Sequence, residues 1–134
     1  MTGWDHWPPQ RFIYLFIGLA YFLIWVQVSL FHWRGAFRHW PMWGPVLDSP
    51  LLGIIGILFA IIHGGWLNTL FLILFGLGTL GGLAGIYYHL AGIKHYIGGY
   101  TLRNFMVGPP IMLPITFMAL SVAAIITYFL DPLR

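Results

Sequence analysis

The sequence has no cysteine and no glutamate, and only 7% of its residues are charged. Without cysteine there is no disulfide, thiolate metal site, cysteine nucleophile or covalent c-type haem. The acidic residues are Asp5, Asp48 and Asp131, and each reads as the end of an apolar run. No carboxylate pair, Ser-His-Asp set or acidic proton pathway inside a membrane can be assembled from them. The inventory therefore argues against a membrane hydrolase, against a transporter working through a buried carboxylate, and for a chain with no catalytic activity of its own.

Scarcity of charge has a second consequence. An ordinary soluble domain carries roughly 25% charged residues, whereas 60% of this chain is hydrophobic. Its polar residues cannot cover a water-facing surface, so the outside must face lipid. The expected fold is an all-α integral membrane protein: one domain, a bundle of four transmembrane helices, up-down-up-down, with short loops.

Four apolar stretches fit a hydrocarbon core roughly 30 Å thick, which takes about 20 helical residues to cross. They run over about 12–31, 46–63, 69–91 and 110–130. No charge occurs between Asp48 and Lys94, so Gly64-Gly65-Trp66-Leu67-Asn68 must supply the turn, with Asn68 as N-cap of the third span. Pro50 is expected in the first turn of the second span, where proline is tolerated. Pro8-Pro9 and the lack of a basic start set the opening apart from a signal peptide, so the first helix is expected to be retained.

Arg34, Arg38, Lys94 and Arg103 fall in the 32–45 and 92–108 connections, against Arg11 and Arg134 on the terminal side. The positive-inside rule then places both connections in the cytoplasm and both termini outside, for instance in a bacterial cytoplasmic membrane. The net charge of +3 rests on six basic residues and reads as this topology signal, not as a nucleic-acid footprint. Two aromatic belts accompany it: Trp4, Trp7, Trp66 and Tyr128 on the terminal side, and Trp33, Trp40, Trp43, Tyr87, Tyr88, Tyr96 and Tyr100 on the loop side. The loop-side belt is heavier than anchoring requires. With Arg34, Arg38, Trp40, Trp43 and Arg103 it forms the expected contact surface for lipid or a partner subunit.

Histidine is the remaining source of chemistry. His32 and His89 end the first and third spans at comparable depth, with His39 and His95 nearby as substitutes. One histidine from each of two helices is the minimum for bis-His haem ligation, so haem b or a (bacterio)chlorophyll is the cofactor they can hold. Gly81, Gly85 and His89 are spaced by four and share a helix face, a flat surface on which a macrocycle can lie. The competing explanations are simpler: interfacial histidines bonded to headgroups, and small-xxx-small pairs at 78/82 and 81/85 for close helix contact. His63 has only His6 as a histidine partner on its side, which speaks against a second haem. In the segment 98–110, two glycines permit unusual backbone angles, and Arg103 and Asn104 offer donors at headgroup level.

The function expected from these features is an accessory or structural subunit of a larger membrane complex, one involved in electron transfer. A small b-type cytochrome or pigment-binding subunit is the alternative. A transporter or channel ranks third, because Gln27, Ser29, Thr79, Thr116, Ser121 and Thr127 are sparse for a polar path.

Overall fold

The structure, a computed structural model, describes residues 2–132; Arg134, which enters the charge count above, lies outside them. It is about 81% helical, with four helices long and apolar enough to cross a membrane. These are α1 (Pro9–Arg34), α2 (Trp43–Ile61), α3 (Trp66–Gly92) and α5 (Met112–Leu130), with the short α4 (Leu102–Val107) ahead of the last. A 3-10 turn at Trp40–Met42 leads into α2, and a π-helical turn at Ile93–Ile97 prolongs α3. The strand pairing among the described residues is only two residues long: β1 (Thr2–Gly3) lies antiparallel to β2 (Ile62–His63).

The helices overrun the apolar stretches, and the reasons are local. Pro9 opens α1 because a proline in the first turn gives up an N–H that has no helical partner anyway. α2 starts at Trp43, so Pro50 lies inside the helix and not in its first turn. The neighbouring Ser49 hydroxyl donates to the Pro45 carbonyl in the same turn. Asn68 is not the N-cap of α3. Gly65 holds that position, with Gly64 and Gly65 at φ 98° and 59°, and Asn68 sits in the first turn. Its Oδ1 accepts the Gly64 N–H at 2.8 Å, closing the turn from inside the helix.

Lipid is as apolar as leucine, so burying hydrocarbon does not hold such helices together; close contact and buried hydrogen bonds do. The two tightest pairings, α1 with α2 and α3 with α5, are both built on glycine. A Cβ on Gly56 would stand 2.9 Å from Gly18 Cα, and one on Gly53 would stand 2.8 Å from the Phe22 ring. Along α3, added Cβ atoms at Gly78, Gly82 and Gly85 would meet Ser121, Met118 and Pro114 of α5 at 2.5, 2.6 and 2.9 Å. In both pairs the contacts run in opposite sequence order. α1 also touches α5, and α2 touches α3.

Toward the chain termini the core is aromatic. Tyr14, Phe59, Phe71 and Phe75 are fully buried, with Tyr14 edge-on to Phe59 at 5.0 Å and 83°. Tyr128 is buried among them and stacks near Phe71, so it belongs to the core and not to an interfacial belt. Trp4 departs from the belt as well. Its Nε1 donates to the Phe59 carbonyl at 3.1 Å, and its ring lies 4.1 Å from that of His63.

Candidate functional site

Polar side chains gather at the two ends of the bundle. At the loop end, α1 and α3 each deliver one imidazole. His89 Nδ1 lies 3.0 Å from the Pro110 carbonyl. A carbonyl only accepts, so Nδ1 carries the proton and donates, leaving the neutral ring's lone pair on Nε2. Fixing the tautomer through a backbone carbonyl is how a ligand histidine is commonly oriented. His32 lies within electrostatic reach of His89. Its Nδ1 is buried without a hydrogen-bond partner among the described residues, as is Ser29 Oγ one turn earlier on α1.

The other histidines do not join this pair. His39 and His95 are exposed, and His39 stands 6.3 Å from the Tyr96 ring. Among the described residues no three His, Asp or Glu groups come close enough to share a metal ion. The glycine face before His89 is not one open surface either. Pro114 covers Gly85, while Gly81 is exposed and meets only Asp48 Oδ2, 3.8 Å from where its Cβ would be. Neither the small cavity beside Asp48 nor the groove lined by Phe22, Ile54, Ile57, Leu58 and Ile61 includes His32 or His89.

Beyond α1 the chain reverses through Ala36 and Phe37, both in the left-handed region at φ 57° and 47°, a conformation uncommon for residues other than glycine. Stacking of Phe37 on Trp43 at 4.1 Å and 17° supports it. Arg34 lies over the Phe31 ring at 5.0 Å, and Arg38 Nε donates to the Gly35 carbonyl at 3.2 Å. Both guanidinium groups remain exposed, as do Trp40 (83%) and Arg103. Gly98 and Gly99 adopt φ 104° and 113°, as the segment's composition suggests. Asn104 is spent on its own loop: its N–H donates to Thr101 Oγ1 and its Nδ2 to the Gly99 carbonyl at 2.7 Å.

At the terminal end, buried Asp131 accepts the Tyr14 hydroxyl at 3.2 Å. Arg11 Nε donates to the Ala60 carbonyl at 2.8 Å, and its guanidinium lies 3.7 Å from the Trp7 ring. A cation there offsets the partial negative charge at the end of α2. In mid-bundle, the Tyr21 hydroxyl donates to the Phe117 carbonyl at 2.6 Å and receives the Ser121 hydroxyl. Thr79 and Thr127 donate to carbonyls one turn back in their own helices. The Tyr21 and Ser121 hydroxyls thus link α1 to α5, while those of Thr79 and Thr127 bond within their own helices.

Tyr14, Tyr21, Asp131 and the role of Arg11 are what residue-by-residue reading misses. One signal was present: the buried residues Tyr14, Ile17, Tyr21, Ile24 and Val28 of α1 alternate three and four apart, the spacing of a helix–helix seam. Asp48 is the other correction. It does not end a span but lies within the segment Trp40–Ile61.

No protein-family model, curated protein or solved structure matches the chain.

Proposed function

We propose that the chain is a four-span membrane protein, arranged up-down-up-down with both termini outside, that serves as a structural or accessory subunit of a larger membrane complex. The opposite sequence order of the contacts in α1/α2 and α3/α5 supports the arrangement. The exposed positions of Arg34, Arg38, Lys94 and Arg103 at the loop end support the orientation.

The observation that carries the subunit reading is the loop-end surface. Trp33, Trp40, Tyr96, Leu102 and Met106 are all highly exposed there, beside those four cations. Aromatic and apolar groups mixed with arginine are the composition of a protein interface. Native electrophoresis of gently solubilised membranes tests it. The chain should migrate well above its own mass, and a Trp40→Ala/Met106→Ser double variant should shift it down. A lone band at the mass of a single chain overturns the reading.

A second reading, in which the chain itself carries haem b or a (bacterio)chlorophyll between His32 and His89, draws support from the fixed Nδ1–H of His89. It would also tie the host complex to electron transfer. Absorption spectra of the purified chain decide this: a Soret or pigment band lost in His89→Ala supports it, and no band contradicts it.

A further inference from the structure

Asp48 is a carboxylate within a candidate span, and nothing in its surroundings answers its charge. No hydrogen bond or opposite charge acts on its carboxylate among the described residues. It faces Gly81, which lies two helical turns from His89, or about 12 Å along α3. Behind it, the Tyr21 hydroxyl is already engaged by Phe117 and Ser121. Asp48 also borders a cavity of about 30 Å³ lined by leucines and Gly78, and Leu51 and Leu77 of that lining are exposed on the face that meets lipid. The carboxylate thus looks sideways out of the bundle, between α2 and α3.

An ionisable group inside a membrane is costly and normally paired. A water would need two to four polar partners, and Asp48 is the sole polar side chain in the cavity wall. A hard cation would need about six oxygen ligands. Lipid amines sit with the headgroups, whereas Asp48 is the sixth residue of α2 and faces the middle of α3. A second copy offers no permanently charged partner: Arg11, Arg34, Arg38, Lys94, Arg103 and Arg134 are all the lysines and arginines of the chain, and none falls inside the apolar stretches. A Lys or Arg at this position would have to come from a different chain.

We infer that the α2/α3 groove docks a transmembrane helix of a partner subunit, which presents a Lys or Arg to Asp48 through the gap left by Gly81. This rests on the subunit reading. It adds where one partner binds and what its helix carries.

The test uses the full-length chain in liposomes with a synthetic leucine–alanine transmembrane helix bearing a single lysine at the depth of Asp48, read by energy transfer. The lysine helix should associate about tenfold more tightly than an all-leucine control, equivalent to about 1.4 kcal/mol. Asp48→Asn should remove that preference. So should Gly81→Leu, which keeps the carboxylate but fills the gap; beyond the neighbouring turns of α3, only Asp48 Oδ2 lies within 4 Å of a Cβ there among the described residues. Equal association of both helices with the natural chain overturns the inference, as does a preference that survives both variants. Self-association abolished by Asp48→Asn would overturn it in favour of a second copy, and a lysine preference lost only when phosphatidylethanolamine is present would overturn it in favour of a headgroup amine. A lone native band together with the lysine preference would remove the subunit reading and leave the Asp48 site standing; a high-mass band without the preference would do the reverse.

Discussion

Gly18 of α1 and Gly56 of α2 meet backbone to backbone: a Cβ on Gly56 would lie 2.9 Å from Gly18 Cα, and one on Gly18 would lie 2.7 Å from the Ile57 nitrogen. The three nearest atoms that a Gly56 Cβ would meet are all backbone, so no flexible side chain is there to yield. Gly56→Ala should therefore push α1 and α2 apart and destabilise the bundle by about 1–3 kcal/mol, the usual cost of overfilling a close contact. Gly76→Ala is the control, because its Cβ would meet nothing within 4 Å among the described residues beyond the neighbouring turns of α3. Reversible unfolding in mixed detergent micelles separates the two; equal effects would contradict the account.

Tyr21 ties α1 to α5 through the Phe117 carbonyl and the Ser121 hydroxyl. Tyr21→Phe should cost about 0.5–1.5 kcal/mol, and Ser121→Ala a comparable amount. Since both remove the same link, the double variant should lose less than the sum of the singles. Strict additivity in the same unfolding measurement would mean that the hydroxyls do not act as a unit.

The coarse fold was legible because four apolar runs of spanning length have no other solution in a chain this poor in charge. What escaped was whatever depends on which face a residue occupies. Asp48 reads as the end of a run because run-counting stops at charges, yet α2 starts at Trp43 and carries it inside. Trp4 and Tyr128 read as interfacial anchors because that is where aromatic residues gather, and only their partners Phe59, His63 and Phe71 reveal them as core. The glycine stripe of α3 was recognisable, but Gly82 and Gly85 face α5 while Gly81 faces Asp48, a division no spacing rule contains. The loop-end histidines were recognisable as candidates from their positions at the ends of two apolar runs. The bond from His89 to Pro110 was not, since the two are distant in sequence.

That bond supplies a third prediction. In His89→Ala the Pro110 carbonyl loses its donor, and the entry to α5 should loosen. Hydrogen exchange at Leu113 and Ile115, whose N–H groups bond Pro110 and Ile111, should quicken, while exchange in the aromatic end around Phe71 stays unchanged. Uniform quickening along the bundle would instead mean global destabilisation.

Arg11 makes the corresponding link at the opposite end. Arg11→Met keeps the stem but removes the donor to Ala60 and the cation over Trp7. The β1–β2 pairing should then open, seen as faster exchange at Ile62 and His63. A cation at a helix C-terminus is worth about 0.3–1 kcal/mol, so the effect should remain local. Unchanged exchange there would show that Arg11 does not secure the N-terminal segment.

In the proposed membrane bundle the termini share one side and the cationic loops share the other. Because the chain has no cysteine, single replacements report on a silent background. Asp5→Cys and Pro132→Cys, both at exposed positions on the terminal side, should react with a membrane-impermeant maleimide in intact cells. Trp40→Cys and Tyr100→Cys, exposed at the loop end, should react only after the membrane is permeabilised. Labelling of a terminal and a loop position from the same side of the sealed membrane would contradict the account.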